Sequence, residues 1–297
     1  MIEKNKFETV ICNLCGKDDY NVICKSHSKY SRDIFNVVQC KNCGLIYINP
    51  RLNTQKSIEG YKEDKKTIEY YNHLWNKRVN EGTFLIKKYL LKNNTGKDLA
   101  FLDVGAGTGA MMYSAKKLGF TTIRGFELNT LAAEHGNNRH PYGKISNIDI
   151  CNSKQVSKVN ERFDVILCHH TLEHVYDPDS AIKNMKFLLK ERGLLCISVP
   201  NTDFFIMQMI KFFRLDSKGV FDPSAHIFHF TSKILDLFLK KHKLKIIVSG
   251  PLFKTKGHLN TFSQIFNNKQ KKIFLPITCS IITVAQKNTV NNLTKRS

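Results

Sequence analysis

The 297-residue sequence has no apolar run long enough to cross a bilayer, which takes ~20 consecutive apolar residues. The longest late apolar stretch, Ile273 to Ala285, is broken by Pro276 and by polar residues. The start, MIEKNKFETVICNLCG, lacks the apolar core of a signal peptide. No membrane span and a cytoplasmic location are therefore expected. Proline is scarce, at 7 residues, and no internal repeat is visible, while the hydrophobic fraction is an ordinary 42%. Collagen-like and disordered classes are excluded. Acids are also scarce: 25 Asp+Glu against 46 Lys+Arg leave a formal charge of +21. Residues 211–297 carry 16 of those cations against only Asp216, Asp222 and Asp236. That excess fits either an anionic partner, such as RNA or a phosphorylated metabolite, or compositional drift, because no basic segment is interleaved with aromatics.

Nine cysteines are present, an odd number. Without an export signal the thiols stay reduced, so paired cysteines point to metal before disulfide. Cys12-Asn-Leu-Cys15-Gly and Cys40-Lys-Asn-Cys43-Gly are two C-x-x-C-G knuckles separated by β-like sequence. A two-residue spacer aims both thiolates into one tetrahedron, and the glycine lets the chain turn under the sulfurs. Cys12, Cys15, Cys40 and Cys43 are thus the expected ligands of a closed, structural zinc in a ribbon-like module over residues 1–51. Loss of that zinc is expected to loosen the N-terminal region alone. Residues 52–66 are polar and read as a linker. Ile68, Tyr71, Leu74, Trp75, Val79, Phe84, Leu85 and Leu90 then recur at helical spacing up to Leu91.

From Leu99 onward, short apolar runs alternate with amphipathic stretches. Strands are expected at 99–104, 122–126, 144–148, 163–168, 193–199, 244–249 and 280–285. Helices are expected at 109–118, 130–138, 178–190 and 231–242. Such alternation predicts an α/β fold with a doubly wound sheet and a ligand beyond the carboxyl ends of its strands. The first strand runs into Asp103-Val-Gly105-Ala-Gly107-Thr-Gly109. Its glycines permit a tight turn and close approach of a ligand to backbone N–H groups. No Gly-Lys-Ser/Thr follows, which excludes a P-loop. Asp103 beside the turn favours a cationic or zwitterionic ligand. The second strand ends in Glu127, a carboxylate placed to accept from both hydroxyls of a ribose.

These phrases, LxFLDVGAGTG, GFELN, FDVILCHHTLEHV with Asp177-Pro178, and LKERGLLCISVPN, resemble the motifs of class I S-adenosylmethionine (SAM)-dependent methyltransferases. The likeness runs from about Leu99 to Lys287. It implies a seven-stranded Rossmann-like sheet with one antiparallel strand. It also implies Asp103, Gly105, Gly107 and His169 near the amino-acid end of SAM, Glu127 on its ribose and Asp149 near its adenine. The combination of ribbon, G-L-x-Y-x-N-P-R, this domain and H-x-x-H-F-T is similar to methyltransferases of sugar and polysaccharide pathways. The expected division is a ribbon module over 1–51, a linker and helix over 52–96, the methyltransferase domain over 97–288 and a tail over 289–297.

At the fourth strand's tip, His170, Glu173 and His174 fall at i, i+3 and i+4, and His226 follows far downstream. Three roles stay open. One histidine is a general base for an acceptor hydroxyl, since imidazole titrates near neutrality. Alternatively all four bind a second divalent metal, in an order resembling the E-x-x-E-H and distant His of small-RNA 2′-O-methyltransferases, with His170 in place of the first Glu. Or they are structural. The expected function is methyl transfer to a hydroxyl of a sugar or phosphorylated small molecule. RNA 2′-O-methylation and a non-enzymatic SAM-binding regulator are the alternatives.

Overall fold

The computed structural model describes residues 6–28, 33–62, 66–91, 95–139, 141–202, 226–252 and 280–288. The expected tail over 289–297 and most of the basic stretch from Lys211 lie outside them. Strands buried on both faces form the middle of the larger sheet. β6 (Ala100–Val104) is buried at every position and β9 (Phe163–His169) at all but one. Their near-continuous apolar runs are what a parallel sheet covered by helices on both sides requires. β7 (Thr122–Phe126), β8 (Lys144–Ser146) and β10 (Leu189–Pro200) extend it in parallel. β13 (Ser280–Lys287) runs antiparallel between β10 and β12 (Leu244–Pro251), and the order is β12-β13-β10-β9-β6-β7-β8. This is the expected seven-stranded α/β sheet with its one reversed strand. The strand order reverses direction between β6 and β9, which leaves a crevice at their carboxyl ends, where open α/β sheets bind ligands.

The helices start where their caps dictate. In α6 (Pro178–Leu188), the Asp177 side chain accepts from the Ser180 N–H and proline occupies the first turn, where its missing N–H costs nothing. In α7 (Ser232–Lys241), the Thr231 hydroxyl accepts from the Ile234 N–H. The stretch read as a linker instead contains α1 (Thr54–Lys62), and α2 (Lys66–Leu85) continues as one π-helical turn to Leu91. Polar composition hid α1, because only its few inward residues need be apolar.

The N-terminal segment folds as an antiparallel sheet of β2 (Tyr20–His27), β3 (Ile34–Cys40) and β4 (Ile46–Ile48). Its fourth strand, β11 (Phe228–His229), comes from the far end of the chain and pairs with β4. The segment is not a loose appendage. Asn13 donates to Asp177 and accepts from the Asp179 N–H, Lys241 donates to the Leu14 carbonyl, and Arg51 donates to the Tyr176 carbonyl. Cys12, Leu14, Val38, Cys40, Leu45 and Tyr47 belong to the same apolar core as Leu102, Ile166 and Phe228. The apolar core is thus continuous from the cysteine knuckles to the larger sheet.

Candidate active site

The Gly-rich turn after β6 forms the floor of the crevice. Gly105 and Gly107 have φ of +77° and +53°, in the left-handed region. An added Cβ would strike the Thr171 side chain at the first and the Tyr71 ring at the second. Asp103, at the end of β6, is buried, and its Oδ2 has no hydrogen-bond partner. Burial, with the Glu127 charge adding to it, raises its pKa to about 8. Glu127 lies at the tip of β7. Its Oε2 accepts from the Gly107 N–H at 2.7 Å, its Oε1 accepts from the Asn129 N–H at 2.8 Å, and the Tyr61 hydroxyl also bonds to it. Burial pushes its pKa up, against those donors. Three donors fill three of the carboxylate's four lone-pair sites, so one site remains to accept from a ligand hydroxyl.

The roof comes from the segment read as linker and helix. The Tyr61 and Tyr71 hydroxyls lie 3.3 Å apart over the glycine turn. About two turns further along α2, Arg78 pairs with the buried Glu81 at 3.3 Å. Glu81 Oε2 is 3.2 Å from His169 Nε2. Burial and the neighbouring His170 push the His169 pKa down to about 3, so its ring is neutral and donates to Glu81. His169 Nδ1 is buried without a partner. Helical periodicity identified Tyr71 as an inward residue but not what it covers. Tyr61, Arg78 and Glu81 carried no motif; an acid amid the apolar positions of α2 was the available signal.

Asp149 occupies the turn after β8. Its Oδ1 accepts from the Cys151 N–H and its Oδ2 from the Tyr176 hydroxyl. Both oxygens thus brace the loop, in a place where the resemblance implies adenine.

Beyond β9 the chain turns sharply at His170, whose φ is +52°. His170 Nδ1 is 3.3 Å from Glu173 Oε1, and its Nε2 is 3.3 Å from the Ser280 hydroxyl at the start of β13. Glu173 is fully buried. Burial alone would raise its pKa, but His174 and His170 hold it down to about 2, so it is ionised. His174 Nε2 is 3.7 Å from Glu173 Oε1. His226 reaches this group from the other end of the chain, its ring centroid 4.9 Å from that of His174. Two backbone bonds hold it there: the Ile227 and Phe228 N–H groups both donate to the Glu173 carbonyl. Of the four residues grouped by sequence, Glu173, His174 and His226 offer ligand atoms within 4.8 Å of one another, while His170 stands apart on Glu173 and Ser280.

The four knuckle cysteines form a separate cluster. Cys12 and Cys43 sulfurs are 3.4 Å apart and those of Cys15 and Cys40 are 3.5 Å apart. All four lie within 4.8 Å of one another. Bonds of 2.3 Å to a tetrahedral zinc set sulfurs about 3.8 Å apart, so the donor set fits that ion. Gly16 and Gly44 turn back with φ of +72° and +81°, each donating its N–H to the carbonyl of the first cysteine in its knuckle.

A methyltransferase-domain family model matches residues 75–248. The ubiquinone biosynthesis O-methyltransferase of Glaesserella parasuis is 36% identical over 107 residues, 34% of this chain and 44% of that protein. The chain spans about half the length of the curated relatives it matches, or less. Among solved structures, a SAM-dependent methyltransferase of Thermotoga maritima superimposes with a TM-score of 0.52 at 18% identity, covering 75% of this chain and 97% of that one. The magnesium protoporphyrin IX methyltransferase of Synechocystis, solved with SAM, gives 0.52 at 11% identity, covering 81% and 100%. At these identities the structural likeness speaks for the fold.

Proposed function

This chain belongs to the methyltransferase-domain family, and from that premise we propose that it transfers the methyl group of SAM to a hydroxyl oxygen of a small-molecule acceptor. The observation that carries the reading is the buried, partnerless Asp103 Oδ2 beside Glu127. A buried carboxylate oxygen lacking a donor is costly, and an ammonium group would satisfy it. Asp103 would hold the amino group of SAM, and Glu127 a ribose hydroxyl. Tyr61 and Tyr71 would roof the pocket and exclude water. Bound there, SAM supplies an electrophilic methyl on a sulfonium. The protein has to hold the acceptor oxygen in line and remove its proton. His170 suits that work. Glu173 fixes its Nδ1–H, leaving Nε2 to accept, and Ser280 orients the ring. Transfer to oxygen is favoured by the names of the curated relatives. A sugar acceptor is favoured by the ribbon and the H-x-x-H-F-T phrase, and ubiquinone-type acceptors by those same relatives. No helix among the described residues is long and apolar enough to cross a membrane.

Glu127→Ala is expected to weaken SAM binding by about 1.5–3 kcal/mol, or roughly 10- to 150-fold in Kd, because it removes charge-assisted acceptors. Calorimetry with SAM checks this. No SAM binding by the intact chain would remove the reading.

We also propose that Cys12, Cys15, Cys40 and Cys43 hold a structural zinc. About one zinc per chain should appear on elemental analysis of protein purified without added metal. Cys40→Ser should lose it and lower the melting temperature. It should also cut turnover, since β4 carries β11 and thereby His226. Full turnover in a zinc-free Cys40→Ser chain would refute that coupling.

A further inference from the structure

We propose that Glu173, His174 and His226 form a second metal centre, a mononuclear site for a divalent transition metal; the role given to the ion rests on the methyl-transfer reading above. The three donors already lie within 4.8 Å of one another, and bonds of 2.0–2.2 Å need separations of about 3–3.5 Å, which small side-chain rotations supply. Glu173 Oε1 is 3.3 Å from His170 Nδ1 and 3.7 Å from His174 Nε2, whereas Oε2 is buried and has no hydrogen-bond partner. A buried carboxylate oxygen left without a donor beside two imidazoles would be satisfied by a cation.

The meeting of the two segments is built into the backbone. The Glu173 carbonyl accepts from Ile227 and Phe228, and β11 is then fixed by β4. The His174 and His226 rings are inclined at 56° with centroids 4.9 Å apart, so their lone pairs can converge on one point. Glu173 is 1% exposed while the His174 side chain is 43% exposed. The site is closed toward the protein and open toward solvent, which leaves coordination positions for an outside oxygen. Two imidazoles and one carboxylate favour zinc, iron or manganese over magnesium.

The ion would take the acceptor hydroxyl, and a second oxygen on the adjacent carbon, as in a vicinal diol or a catechol, would complete a chelate. A hydroxyl ligating the ion loses its proton more readily, here to His170. The oxygen then forms its bond to the methyl carbon as the carbon–sulfur bond breaks, and that electron pair stays on sulfur as a neutral thioether.

The test is the metal content of intact protein after dialysis against Mn²⁺, compared with His226→Ala and Glu173→Gln. The intact chain should carry one ion more than either variant, and His170→Ala should match the intact chain. Equal metal content in the intact chain and both variants would overturn the site. SAM affinity, measured on the same samples, separates the two readings: SAM binding without the extra ion leaves methyl transfer standing and removes the metal. The extra ion without SAM binding does the reverse. Persistence of the cysteine-bound zinc in His226→Ala reports that the variant has folded.

Discussion

Replacing His170 with alanine is expected to lower turnover by about 10²–10⁴-fold, the contribution of a positioned general base, with SAM affinity essentially unchanged. The expectation rests on a division of labour at the tip of β9. His170 points one nitrogen at Glu173 and leaves the other beside Ser280, whereas His169, one residue earlier, is turned to Glu81 and held neutral by burial. Glu173→Gln should lower turnover at least as far, since it removes both the charged partner of His170 and a ligand of the proposed second ion. A His170→Ala enzyme with turnover within threefold of the parent would assign the proton transfer elsewhere.

SAM binding at pH 7 should release close to one proton, and Asp103 should be its source. With a pKa of about 8 in the free protein, Asp103 is roughly 90% protonated at pH 7. An ammonium placed on Oδ2 favours the ionised form and expels the proton. Affinity should therefore rise with pH between 6 and 7.5, by up to tenfold per pH unit. Calorimetry in buffers of different ionisation enthalpy measures both effects. In Asp103→Asn the released proton and the pH slope should disappear and the affinity should drop.

The same variant should be the more heat-stable one without ligand. An acid whose folded pKa lies above its unfolded value costs stability increasingly as pH rises from the unfolded value toward the folded one. At pH 7 most of that penalty is already present, and asparagine has no such titration. A ligand-free Asp103→Asn chain that melts lower than the parent at pH 7 would argue that the buried carboxyl is not strained.

What could be read from sequence follows from what is local. β6 and β9 were legible because burial on both faces leaves a continuous apolar run, and α6 and α7 because their caps are adjacent in sequence. The placement of Asp103 and Glu127 at the carboxyl ends of β6 and β7 was legible because each closes a short apolar run before a turn. α1 was not, since an exposed helix needs little apolar sequence, and with it went Tyr61. Grouping His170 with Glu173, His174 and His226 followed helical spacing. The chain instead takes a left-handed conformation at His170, which turns that ring toward β13. The approach of His226 depends on β11 pairing with β4, a tertiary choice with no local signature.

That pairing also bears on how the chain is made. All four knuckle cysteines are available as soon as residues 12 to 43 emerge, but the strand that completes their sheet is synthesised about 180 residues later, a long-range closure of the kind that slows folding. Until then one edge of β4 is open, and Tyr47, Phe228 and Phe230 have yet to meet. The nascent protein thus carries an unfinished β-edge while β6 to β10 of the Rossmann-like sheet are made, a natural point for chaperone capture or for exchange between two chains.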